Sequence, residues 1–76
     1  MLDVLILSPE KVIFEGKAES VSLPGERGIF EVLSFHKNLL SRLLSGSIVV
    51  DGRTFSIYRG IVKVKENVVT IISETS

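Results

Sequence analysis

Ile61-Val62-Lys63-Val64-Lys65-Glu66-Asn67-Val68-Val69-Thr70-Ile71-Ile72 decides the fold. Val62 and Val64 alternate with Lys63 and Lys65, the two-residue period of a strand with one face in a core and one in water. Glu66-Asn67 breaks the run, and Asn tolerates the left-handed backbone of a tight turn. Val68 to Ile72 then resumes, apolar on both faces except at Thr70. The pattern predicts a β-hairpin from Ile61–Lys65 to Val68–Ser73.

Upstream, Asp51-Gly52 is a second hairpin signal, between Ser47–Val50 and Arg53–Tyr58, because both residues accept positive φ. Phe55 and Ile57 face inward on one of its strands. In Glu19-Ser20-Val21-Ser22-Leu23, Val21 and Leu23 face in and the serines face out. Val4-Leu5-Ile6-Leu7 is apolar on both faces, Val4 with Ile6 and Leu5 with Leu7. Turn signals recur at Ser8-Pro9, Glu15-Gly16, Pro24-Gly25, Ser45-Gly46 and Arg59-Gly60. Ten Val, eight Ile and three Thr make the chain strongly β-branched, which suits a pleated surface better than a helix. Many short strands at this spacing predict a sandwich or barrel. Lys37 to Ser45 is ambiguous, because Leu39, Leu40, Leu43 and Leu44 fall at helical spacing in a segment too short for an independent helix.

Composition narrows the function. The chain has 76 residues, room for one domain, spanning 1–76. Nine Lys and Arg against nine Asp and Glu leave no net charge, which argues against a broad basic face for nucleic acid or anionic lipid. There is no cysteine, hence no disulfide staple and no thiolate ligand. Mean hydropathy is +0.41, which points either to partner surfaces that a thin core cannot hide or to a tight core rich in Val and Ile. No apolar run approaches the roughly 20 residues of a membrane helix, and no basic region opens a secretory signal. The expectation is a soluble protein in a reducing compartment, without direct membrane insertion.

No catalytic constellation assembles. His36 is the only imidazole, with no second His or Cys to share a metal. Ser34 and Ser41 lie near it without a G-x-S-x-G elbow. Pro24-Gly25-Glu26-Arg27-Gly28 lacks the G-K-[ST] end of a phosphate loop. It reads as a turn with Pro24 fixing φ and both glycines at positive φ. The carboxylates are scattered singly. The expected cofactor and metal content is therefore none.

Leu7-Ser8-Pro9-Glu10, Phe14-Glu15-Gly16 and Val21-x-Leu23-Pro24-Gly25-Glu26-x-Gly28 follow one another in order. Phe30-x-Val32-Leu33-x-x-His36-x-x-Leu39-Leu40 comes next, the most characteristic stretch, then Arg59-Gly60-Ile61-Val62-x-Val64 and Asn67-x-Val69-Thr70. Over nearly its whole length the chain thus resembles a known family, the N-terminal β-sandwich domain of the epsilon subunit of F-type ATP synthases. Glu31 stands where the family has Gly, Ser34 and Asn38 where it has Pro, and Ile61 where Phe is common. The family continues into a helical hairpin domain, whereas this sequence stops at Ser76, so no helical C-terminal domain is expected here.

The resemblance implies an all-β, two-sheet β-sandwich of about ten short, mostly antiparallel strands, and favours a strand at Leu39 to Leu44. It implies a non-catalytic rotor subunit at the foot of the central stalk, coupling the gamma subunit to the membrane c-ring. That places the chain peripherally on the cytoplasmic face of the inner membrane. By the same resemblance His36 and Ser41 fall on the gamma side, and Ile29, Phe30 and Glu31 face the c-ring.

Two other classes compete. A lipoyl- or biotinyl-type carrier domain is also small and all-β, and Lys65 beside Glu66-Asn67 is its candidate modified lysine. An OB-like nucleic-acid binder needs aromatics interleaved with basic residues. Here Phe14, Phe30, Phe35, Phe55 and Tyr58 are dispersed, and only Lys63 with Lys65 forms a same-face basic pair.

Overall fold

A computed structural model of the chain describes residues 1–75. Nine strands account for most of it: β1 (Leu2–Leu7), β2 (Val12–Ala18), β3 (Ser20–Gly25), β4 (Gly28–Leu33), β5 (Leu39–Leu43), β6 (Gly46–Val50), β7 (Arg53–Ile57), β8 (Arg59–Lys65) and β9 (Val68–Glu74). They form two layers. β2-β1-β9-β8-β5 make one, and β7-β6-β3-β4 make the other. Direct pairing between β3 and β5 is limited to Gly25 opposite Leu43, next to which the Leu44 N–H donates to Pro24 O at 2.8 Å. The result is the expected all-β sandwich, its two sheets continuous at one corner. Among the described residues only β1 and β9 pair in parallel.

Both predicted hairpins form. β6 and β7 meet at Asp51-Gly52, with φ of +45° and +85°, and β8 and β9 meet at Glu66-Asn67, with φ of +50° and +63°. Positive φ at both central residues matches the turn twist to that of the strands. The alternation is also as expected. Val21, Leu23, Val62, Val64, Val69 and Ile71 are buried, with Leu2, Val4 and Ile6 of β1. Burying each such side chain stabilises the fold by about 1.5–3 kcal/mol. Phe14 and Phe55 close one open side between the layers, their rings 5.5 Å apart, with the Arg53 guanidinium over both.

The leucine-rich ambiguity resolves as strand β5. Leu43 is buried and Leu40 is 72% exposed, the in-and-out pattern of a pleat rather than a helical stripe. Pairing of β5 with β8 along its whole length, from Leu39 opposite Val64 to Leu43 opposite Gly60, overrides the helical spacing.

Three local expectations are corrected. Arg59-Gly60 is not a turn: both residues lie in β8, and a Cβ at Gly60 would stand 2.6 Å from Ile72 O, so glycine there answers to crowding. Glu15-Gly16 is not a turn: Gly16 lies inside β2 opposite Val4, in van der Waals reach of the Phe14 ring. Of the two turn glycines, only Gly28 has positive φ, at +114°. Gly25 is extended in β3, and the reason for glycine there is proximity. A Cβ would stand 2.7 Å from Cδ1 of Phe30.

Candidate functional site

The two outer faces of the sandwich differ in chemistry. On the four-stranded sheet, the outward positions are Ser20, Ser22, Ser47, Val49, Thr54 and Ser56, with Glu31 opposite Ser22 on β4. Hydroxyl groups there hydrogen-bond to water at little cost.

The five-stranded sheet presents a partly apolar face instead. The register aligns Leu7, Ile72, Ile61 and Arg42 across β1, β9, β8 and β5. The adjacent row is Leu5, Thr70, Lys63 and Leu40. Ile61 and Ile72 are 49% and 55% exposed, although both sit in the middle of paired strands. Toward the Glu74 end of this face a groove of about 590 Å³ is lined by Pro9, Leu44, Tyr58, Ile61 and Ile72. Arg42, Arg59 and Glu74 also line it. The Arg59 Nε donates to the Glu74 carboxylate at 2.9 Å. That hydrogen bond, with the charge of Glu74, holds the guanidinium above its ordinary pKa. Contiguous apolar surface rimmed by charge is the character of a docking face.

A second concavity, of about 420 Å³, lies between the Gly25–Phe30 hairpin and the segment from His36 to Ser41. Four of the five residues singled out by resemblance line it: Ile29, Phe30, His36 and Ser41. Strand alternation separates the β4 set. Ile29, 79% exposed, and Glu31 point outward, while Phe30 turns inward, half-buried against the core and over Gly25. His36 is half-buried. Its N–H donates to Leu33 O at 3.1 Å, and its Nδ1 lies 2.7 Å from Lys37 O. A carbonyl only accepts, so Nδ1 carries a proton and Nε2 is left for a partner. Ser41 Oγ donates to Arg42 O at 3.2 Å.

Phe35 is the residue that sequence reasoning missed. It is 89% exposed at φ +66°, beside His36. Its N–H donates to Asn67 Oδ1 at 2.6 Å. The groove lined by Tyr58 and Leu44 was also not foreseen, although the two-faced apolarity of Val68 to Ile72 signalled it.

The features needed by the competing classes lie apart. Lys65 ends β8 and is exposed, but the hairpin tip itself is Glu66-Asn67. Of the aromatic side chains, Phe14, Phe30 and Phe55 pack against the core. The backbone N–H groups of Phe35 and Tyr58 lie far apart, the first donating to Asn67 Oδ1 in the turn before β9 and the second to Glu74 O at the end of β9. Among the described residues no group of three or more His, Asp or Glu side chains is placed to hold a metal ion. No helix among them is long and apolar enough to cross a membrane.

These features define a class: a small β-sandwich with one hydroxyl-rich face and one partly apolar face. The whole of residues 1–76 matches the family described as ATP synthase, Delta/Epsilon chain, beta-sandwich domain, and the chain belongs to that family. Among its relatives, the ATP synthase epsilon chain of Endomicrobium trichonymphae is 38% identical over 95% of this chain and 55% of its own length. That of a Nitratiruptor species is 44% identical over 96% of this chain and 60% of its own. This chain thus spans little more than half the length of these curated relatives. Two solved structures share the fold. A chain of the Euglena gracilis mitochondrial ATP synthase, in a structure of OSCP, F1 and c-ring, superimposes with TM-score 0.86 at 19% identity, over 95% of this chain and 49% of that one. A chain of the Tetrahymena thermophila mitochondrial ATP synthase central stalk and c-ring gives 0.80 at 16% identity, over 96% and 63%.

Proposed function

We propose that this chain is a non-catalytic rotor subunit of an F-type ATP synthase, docked on the gamma subunit and seated on the c-ring. The observation that carries this reading is family membership along the entire sequence. The unpartnered apolar rows around Ile61 and Ile72 support it, since a permanent subunit keeps a larger and more hydrophobic interface than a transient one. A sandwich with a core of fully buried Leu, Ile and Val side chains also resists deformation, as torque transmission requires. In this reading His36 and Ser41 meet gamma, while Ile29 and Glu31 meet the polar loops of the c-ring, with Phe30 as the internal support of that hairpin. The protein then sits at the cytoplasmic face of the inner membrane, peripherally, as part of the complex.

Titration with the cognate gamma subunit tests the proposal. Binding at micromolar concentration or tighter is expected, with His36→Ala and Ser41→Trp weakening it while the folded signal stays intact. A folded chain that leaves gamma unbound at that concentration would refute it.

A further inference from the structure

We propose that Phe35 anchors this domain in its gamma partner by inserting into a concave apolar pocket whose rim carries carboxylates. The inference rests on the gamma docking proposed above and deepens it. Three observations meet at this residue. Its φ is +66°, a left-handed conformation that is strained for a bulky side chain. Its ring is 89% exposed, so no burial within the chain offsets that strain. Yet the strained conformation is fixed, because Asn67 Oδ1 accepts the Phe35 N–H at 2.6 Å across the turn between β8 and β9. Within the isolated chain, glycine at 35 would keep the loop and remove the strain. A phenylalanine held there by a dedicated hydrogen bond gains its stabilisation from outside the chain.

The setting specifies the occupant. Phe35 is adjacent to His36, the residue assigned to the gamma side, and Leu33, 51% exposed, precedes it by two positions. Lys37 follows two positions later, and Lys65 ends the strand that leads into the turn of Asn67. Both lysines are exposed, against one exposed carboxylate of the same turn, Glu66, so this margin is net positive. The complementary surface is a pocket deep enough for a phenyl ring with acidic groups at its margin. A rigid aromatic seated at such a centre, with charge at its rim, is the usual form of a binding hot spot.

The test is affinity of the full chain for purified cognate gamma, with urea unfolding of each variant alongside. Phe35→Gly and Phe35→Ala are expected to weaken binding about 30-fold or more, mainly through faster dissociation. Phe35→Gly is expected to unfold at the same or higher urea concentration than the parent. Phe35→Leu should retain most of the affinity, and Lys37→Glu should weaken it and flatten its salt dependence. Affinities of Phe35→Gly and Phe35→Ala within twofold of the parent would overturn the anchor while leaving gamma docking in place. A parent chain that does not bind gamma would overturn both.

Discussion

Asp51 and Ser20 hold each other reciprocally across the end of the four-stranded sheet. The Asp51 N–H donates to Ser20 O at 3.3 Å, and the Asp51 carboxylate accepts the Ser20 N–H at 3.0 Å. The same carboxylate takes the Glu19 N–H. One turn residue therefore closes its own hairpin and fastens the β2–β3 connection, which starts the strand that carries β4 and the Ile29 loop.

Removing the Asp51 carboxylate loses hydrogen bonds to a charged acceptor and puts a poorer residue at φ +45°. Asp51→Ala is expected to destabilise the fold by about 2 kcal/mol. Asp51→Asn keeps one acceptor and the tolerance for positive φ, so it should cost less than half of that. Urea midpoints with an unchanged m-value check both, and equal losses for Ala and Asn would contradict the clamp.

Gly25 and Phe30 form the second coupled pair. A methyl at 25 would press on Cδ1 and Cε1 of the Phe30 ring, at 2.7 and 2.8 Å. Gly25→Ala is expected to cost about 1–3 kcal/mol through overpacking. Shortening the obstacle should rescue it. Gly25→Ala with Phe30→Leu is predicted to be more stable than the sum of the single changes implies, by at least about 0.5 kcal/mol. Strict additivity in a double-mutant cycle would show that the ring does not rest on Gly25.

Asn67 sets the loop that presents Phe35 and His36. Asn67→Ala removes the acceptor of the Phe35 N–H and places a Cβ-bearing residue without a local hydrogen bond at φ +63°. The expected cost is about 1–2 kcal/mol. The distinguishing readout is hydrogen exchange, which should accelerate at the Phe35 amide while the Val62 and Val69 amides in the core strands stay protected. Unchanged exchange at Phe35 would remove the tie.

Much of this architecture was legible in the sequence because it rests on local rules. The period of two in Ile61–Lys65, and turn residues at Asp51-Gly52 and Asn67, report directly on face and register. Leu39 to Leu44 was not legible. Its leucines satisfy both periods, and only the non-local partner β8 decides between them. Gly25 misled for a related reason, since glycine answers either to φ or to crowding, and crowding by Phe30 is a tertiary fact. Of the site, Ile29, His36 and Ser41 came from resemblance and not from spacing. Phe35 was hidden because positive φ in a bulky residue leaves no compositional trace.

Neighbouring residues on β8 offer the sharpest test of which face is core and which is interface. Val62 is fully buried, and Ile61, one position earlier, is 49% exposed on the outer row with Ile72 and Leu7. Val62→Ala leaves a cavity and is expected to cost about 1–3 kcal/mol. Ile61→Thr keeps a β-branched strand former and should change stability by less than about 0.5 kcal/mol. Binding to gamma should invert the order. Val62→Ala, while folded, should bind nearly as well as the parent, whereas Ile61→Thr, and more so Ile61→Glu with Ile72→Glu, should weaken the complex. Chemical denaturation and affinity measured on the same four proteins check the pair. An Ile61→Glu, Ile72→Glu chain that stays folded and binds gamma like the parent would mean that this face lies outside the gamma contact.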